Sequence, residues 1–193
     1  MSHELQSKQT ISLGTFESTG THLVISDPGY ELDWIRNSSL GIVLADCSSG
    51  MWKAETIIKY FDASNFPCTS ELRAIHTSVR DSGLLNWEQQ EGGISVDAGQ
   101  AGIYDLNHFR DDSLVPRDIK WTFEDSGPAS PDELWYSYCC ELTGSRPEGS
   151  VLPFGVVTTS GYGDGRYAYS IARDVSNKIV GVWVLFVDDL GNG

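Results

Sequence analysis

Three aspartates stand beside glycine in segments far apart in the chain, and they are the residues best suited to chemistry. Asp27 opens the sequence Asp-Pro-Gly-Tyr, Asp97 lies in Val-Asp-Ala-Gly, and Asp164 lies in Gly-Tyr-Gly-Asp-Gly. Carboxylates serve as general bases or as oxygen ligands of a divalent cation. Glycine is favoured where the backbone approaches closely or needs positive φ, so one shared cleft mouth would explain all three segments. We predict that at least two of these carboxylates lie within about 8 Å of each other, and all three are candidate metal ligands.

Three neutral polar side chains close to these aspartates are predicted to complete the ligand-binding site. Gln100 follows Asp97 by three residues, and Tyr162 and Tyr167 flank Asp164. The alternative is that each aspartate bonds to the backbone of its own turn, as turn aspartates usually do. In that case no shared site exists.

The common catalytic motifs are absent from the sequence. It contains no nucleophile elbow, Walker A loop, HExxH zinc motif, EF-hand loop, or dinucleotide-binding glycine motif placed between a strand and a helix. The spacing of glycines over residues 161–165 superficially resembles a phosphate loop. However, Asp164 would repel an anion, and a strand rather than a helix N-terminus follows. No catalytic residue can be named from the sequence.

The elements that must position these residues are mainly strands. Runs rich in β-branched and aromatic residues are bounded by Gly, Asp, Asn or Ser, which predicts an antiparallel β-sandwich or a strongly curved sheet. We predict a strand pair, then a hairpin whose second arm alternates apolar and polar residues, and finally a three-stranded meander. The strand pair is formed by residues 10–16 and 22–26, the hairpin by 40–46 and 51–61, and the meander by 155–187. Single strand-like runs lie between them at 72–79, 92–105 and 119–123.

One helix is predicted near residues 131–143. Ser130 is the expected N-cap, Pro131 the first helical residue, and Glu133 the partner in a capping box. Leu134, Trp135, Tyr138, Cys139 and Leu142 share one helical face, which is typical of packing against a core. Gly144 is expected to end the helix.

Composition indicates one β-rich domain over residues 1–193, placed in the cytoplasm. The chain has 27 acidic and 13 basic residues, a formal net charge of −14, which argues against nucleic-acid and membrane partners. The N-terminus lacks the pattern of a secretory signal, and no apolar run approaches the roughly 18 residues of a membrane span. The four cysteines have no CxxC spacing, and two of them are adjacent, so free thiols are expected.

Three ordered blocks resemble a widespread set of proteins, domain-of-unknown-function family 4241. The blocks are VxDPxY at 25–30, with Ile25 in the first position, VDAGxxGxxD within 95–105, and SGxGDGxYxxxxARD at 160–174, and they occur in this order along the chain. Family members commonly carry glycine before the arginine, where this chain has Ala172. The resemblance implies a β-rich fold and these block boundaries, and it implies no particular activity.

Two functional hypotheses remain open from the sequence. The first is a small acidic binding or interaction module with a carboxylate-lined, glycine-rich cleft, whose partner is a small cationic ligand or a basic protein. The alternative is a small enzyme, of hydrolase or isomerase type, that uses a carboxylate general base or a divalent cation.

Overall fold

The computed structural model describes residues 5–61, 67–122, 133–146 and 148–189. Strands account for 46% and helices for 17% of the structure, so the predicted mainly β class is confirmed. The strands are β1 Leu5–Ser18, β2 Leu23–Ser26, β3 Ile42–Leu44, β4 Gly50–Phe61, β5 Pro67–His76, β6 Trp87–Gln89, β7 Ile94–Val96, β8 Gln100–Asp105, β9 Ser150–Leu152, β10 Gly155–Thr159, β11 Gly165–Arg173 and β12 Ile179–Leu185. The helices are α1 Leu32–Asn37 and α2 Leu134–Ser145.

The strands form two antiparallel sheets. The seven-stranded sheet has the order β1-β4-β5-β12-β11-β6, with β7 pairing a second part of β11. The five-stranded sheet has the order β3-β2-β8-β10-β9. Their facing sides share one apolar core, to which β2, β8 and β10 contribute from one sheet and β4, β5, β11 and β12 from the other.

The alternation in β4 sets which of its side chains enter the core as far as Thr56, but Ile57, Ile58 and Lys59 are all buried, and the register with β5 shifts between Ile57 and Ile58. Trp52, Ala54 and Thr56 are buried on the inner face, as the period of two predicts. Lys59, expected on the wet face, is only 1% exposed. Its Nζ lies 2.9 Å from both the Val187 carbonyl and a carboxylate oxygen of Asp189, because the chain after β12 folds over it.

Several predicted strand pairings are wrong. β1 and β2 lie in different sheets, where β1 pairs with β4 and β2 pairs with β3 and β8. β3 and β4 also lie in different sheets and form no hairpin. In the predicted meander only β11 and β12 form a hairpin, since β10 pairs with β8 and β9. Residues 119–122 are not a strand. Hydrophobic periodicity specifies which side chains are buried but not which strands are neighbours.

The helix prediction is correct in place and incomplete in detail. α2 ends at Ser145, so Gly144 lies inside it, and the predicted cap and first residue at 130 and 131 lie outside the described residues. The Glu133 side chain makes no capping bond. Instead Asp112, distant in sequence, accepts the N–H of Trp135 at 2.7 Å. α1, a helix of six residues, was not predicted.

The apolar face of α2 packs as expected. Trp135 and Cys139 belong to a second buried cluster, and Leu134, Tyr138 and Leu142 pack against it. This places the opposite, polar side of α2 beside the end of β10 and the start of β8.

All four cysteines are free, which confirms the prediction. Among the described residues, no helix is both long and apolar enough to span a bilayer.

Candidate functional site

Asp27 ties two distant parts of the chain together. Its carboxylate is 1% exposed and accepts the N–H of Gly29, in its own turn, at 2.7 Å. The other carboxylate oxygen accepts the N–H groups of Asp97 and Ala98 at 2.8 and 2.7 Å. Asp27 therefore caps its own turn, as the alternative interpretation predicts, and it also links the first two sequence blocks.

Asp27 and Asp97 are neighbours, as predicted. A carboxyl carbon lies within about 4 Å of its own backbone nitrogen, so the N–H contact to Asp27 brings the two carboxylates to within about 7 Å. The Asp97 carboxylate also accepts the hydroxyl of Tyr30 at 2.6 Å. Burial, and then this hydrogen bond, raise the pKa of Tyr30, and the charges of Asp27 and Asp164 act in the same direction. Tyr30 thus stands in the field of all three aspartates.

The three carboxylates do not form the predicted metal site. Asp164 is exposed on the loop between β10 and β11. Asp27 already accepts three backbone N–H groups, and Asp97 accepts a phenol. Within the described parts of the chain, no three His, Cys, Asp or Glu residues are grouped so as to hold a metal ion. Both carboxylate oxygens of Asp27 are thus occupied, and the three aspartates are not grouped as metal ligands.

The three sequence blocks nevertheless meet, and we call residues 27–30, 97–99 and 160–165 the motif loops. The Ser160 N–H donates to the carbonyl of Gly99 at 3.0 Å. Gly99 and Gly163 have φ of +66° and +109°, and a Cβ on Gly99 would lie 3.9 Å from the Gly163 Cα. These glycines are explained by positive φ at the point where two motif loops touch.

Neither predicted tyrosine forms a wall beside the aspartates. Tyr167 is buried in the core, with its hydroxyl 3.0 and 2.7 Å from the carbonyls of Ser160 and Gly163, so it supports the third motif loop from inside. Tyr162 is 59% exposed, and its pKa is raised by partial burial and by neighbours that include Asp188 but none of the three aspartates. The alternation of β11 was a signal for the burial of Tyr167.

A cleft of about 360 Å³ opens beside the motif loops, and we call it the helix cleft. One wall is residues 98–100 and the other is the polar side of α2, which contributes Tyr136, Cys140 and Thr143. Gln100, predicted as a ligand-binding residue, lines this cleft and is 4% exposed.

A network of hydrogen bonds crosses the floor of the helix cleft. The Gln100 amide donates to the Cys140 sulfur at 3.1 Å and accepts the Thr143 hydroxyl at 3.1 Å. A further hydrogen bond joins the side chains of Tyr136 and Cys140. Tyr136, Cys140 and Thr143 were not predicted as site residues, although their spacing of four and three places them on one helix face.

The helix cleft lies in a negative field. The pKa of Tyr136 is raised mainly by burial and next by the neighbouring Cys140. The negative charges of Asp27 and Glu133 raise it further. The lining itself is neutral, so the carboxylates stand behind and beside the cleft rather than line it.

The buried carboxyl of Asp27 is expected to make the folded protein less stable as the pH rises. Burial raises its pKa above 3.8, against the opposing effect of three backbone N–H bonds. The native state therefore holds this proton to higher pH than the unfolded chain, and the contribution to stability falls as the pH rises through the folded pKa. We expect the melting temperature of the wild type, relative to that of Asp27→Asn, to decrease between about pH 4 and pH 7. A relative increase over this range would contradict the assignment.

Cys140 is expected to be the one reactive thiol of the native protein. Burial raises the pKa of Cys47 to about 12 and that of Cys68 to about 11, and Cys139 is fully buried, whereas Cys140 is half-buried at the cleft. Iodoacetamide should modify Cys140 at least about tenfold faster than the other three. Mass spectrometry of digested protein measures this, and Cys140→Ser is the control that should remove the fast phase. Equal rates at all four thiols would show that the cleft is closed in solution.

No family model, curated protein or solved structure matches this chain. The resemblance to family 4241 therefore remains an expectation from the three sequence blocks.

Proposed function

We propose that this protein is a small acidic binding module whose ligand occupies the helix cleft and carries a positive charge. The observation that supports this most directly is the meeting of the three motif loops beside that cleft. Gln100, Cys140 and Thr143 converge there, as polar groups do in small-molecule sites. The proposed setting is the cytoplasm, which the four free thiols favour.

Charge is the basis for a cationic ligand. The net charge of −14 draws cations toward the protein, and Asp27 and Glu133 act on Tyr136 in the cleft wall. Asp97 is exposed and adjacent in sequence to the cleft residue Ala98, and we propose it as the carboxylate that attracts the cation. The neutral floor would then hold the rest of the ligand by hydrogen bonds.

The enzyme hypothesis has less support. A general base must reach the substrate, but Asp27 is buried with both carboxylate oxygens occupied. The pKa of Tyr30 is raised by burial and by Asp97, which makes its phenol a poorer acid at neutral pH.

The test uses Cys140 as a reporter inside the cleft. We expect butylamine and putrescine to slow the alkylation of Cys140 in a saturable manner, because a bound ligand covers the thiol, while butyrate has no such effect. Asp97→Asn should weaken protection by the amines about two- to fivefold, the effect of one partly screened charge. Equal effects of amines and butyrate would contradict a cation site, and no protection by any probe would contradict a ligand site in this cleft.

A further inference from the structure

The outer edge of β1 is an open strand edge over residues 7–12, whereas nearer the end of the strand the Glu17 N–H donates to the carbonyl of Pro153 at 3.3 Å. β1 is the outermost strand of the seven-stranded sheet and, in the described chain, pairs only with β4. Two register shifts, at Leu5/Ser7 and Ser12/Gly14, bound a regular stretch over residues 7–12. All six residues except Ile11 are exposed. By contrast, the other edge strands in the described ranges, β3, β6, β7 and β9, have three residues each.

Such an edge is a template for another strand, because half of its N–H and C=O groups have no strand partner. Natural edges are usually blocked by proline, by several charges or by short length. Residues 7–12 contain no proline and one charge, Lys8. Lys8 lies close enough to Asp189 to lower the pKa of that carboxyl, although Lys59 is the larger cause.

A groove of about 410 Å³ runs beside this edge. Ile11, from the edge strand itself, lines it together with Ile58 and Tyr60 of β4, and among the residues that the structure describes Glu148 is the one charged side chain in its lining. β1 and β4 have 14 and 12 residues, whereas the strands of the facing sheet have at most six. The long strands therefore carry apolar inner-face side chains to the opening between the two sheets.

We propose that this edge and groove bind an extended segment of a partner protein in which an apolar and a basic residue lie two positions apart, on one face of the segment. The main chain of the segment adds a strand to β1 over residues 7–12. The apolar side chain enters the groove between Ile11 and Tyr60, and the lysine or arginine two positions away, on the same face, reaches Glu148. Main-chain bonds supply affinity in this mode of recognition, and alternate side chains supply specificity. The net charge of −14 favours a basic partner.

The test is a titration of the full chain with a seven-residue peptide of threonines that has valine at its second and sixth positions and lysine at its fourth, acetylated and amidated at its ends. We expect saturable binding, with added amide-exchange protection confined to residues 7–12. Two matched peptides carry N-methyl groups at alternate residues, one peptide on each hydrogen-bonding edge. Only the peptide methylated on the edge that faces β1 should lose binding. Glu148→Gln should weaken binding about two- to fivefold, as expected for one exposed charge pair.

Three results would overturn the proposal. The first is equal binding of both N-methylated peptides, and the second is amide-exchange protection away from β1. The third is a free protein that is already a dimer with residues 7–12 protected, because a second copy then occupies the edge. Thr159 borders both this groove and the helix cleft. Alkylation of Cys140 should be unchanged by the peptide, so the two proposals succeed or fail separately.

Discussion

Replacing Asp27 by alanine is expected to lower the free energy of unfolding by about 3–5 kcal/mol at neutral pH. The substitution removes the acceptor of three backbone N–H groups, those of Gly29, Asp97 and Ala98, in a place where water has little access. Each donor left without a partner costs roughly 1–3 kcal/mol. Urea unfolding at pH 7 measures the loss.

Asp164→Asn is the matched control for this prediction. Asp164 also stands in a glycine-rich motif loop, but it is exposed. We expect its replacement to change the free energy of unfolding by no more than about 0.5 kcal/mol, as for most surface substitutions. If the two variants lose the same stability, Asp27 is not the link between the first two motif loops.

Replacing Asp105 by alanine is expected to cost a similar amount, about 3–5 kcal/mol. Asp105, at the end of β8, is fully buried and accepts the hydroxyls of Ser18 and Thr19 at 3.1 and 2.8 Å. It also lies 3.4 Å from the N–H of Gly20 and 2.7 Å from Nδ1 of His108. One carboxylate therefore joins the end of β1 to the end of β8, and its removal leaves several polar groups without their partner.

Asp81→Ala provides the comparison for Asp105. Asp81 is exposed, and its side chain accepts the N–H of Gly83, two residues away, at 2.9 Å, with no hydrogen bond to a distant described segment. Loss of such a local cap costs about 0.5–1 kcal/mol. Thermal and urea unfolding should show a loss of stability several-fold larger for Asp105→Ala than for Asp81→Ala. Near-equal losses would mean that water replaces the Asp105 contacts without cost.

The two predictions rest on a distinction that the sequence does not contain. Asp27 and Asp81 are both turn aspartates that accept an N–H two residues ahead. Only Asp27 also accepts two N–H groups from a segment about 70 residues away. The additional bonds exist because β2 and β8 are neighbours in one sheet, which brings the two loops to the same end.

The sequence by itself determined the β class, the inner face of β4 over residues 52–56, the apolar face of α2 and the free cysteines, since each depends on local period or on composition. It also indicated that the three glycine-rich blocks belong together. The tertiary structure alone decided that β10 lies in the five-stranded sheet and that Asp27 accepts three backbone N–H groups. It also decided that Lys59 is buried under the chain after β12. It alone placed the polar side of α2 opposite Gln100. Each of these depends on contacts between residues far apart in sequence, which no local pattern specifies.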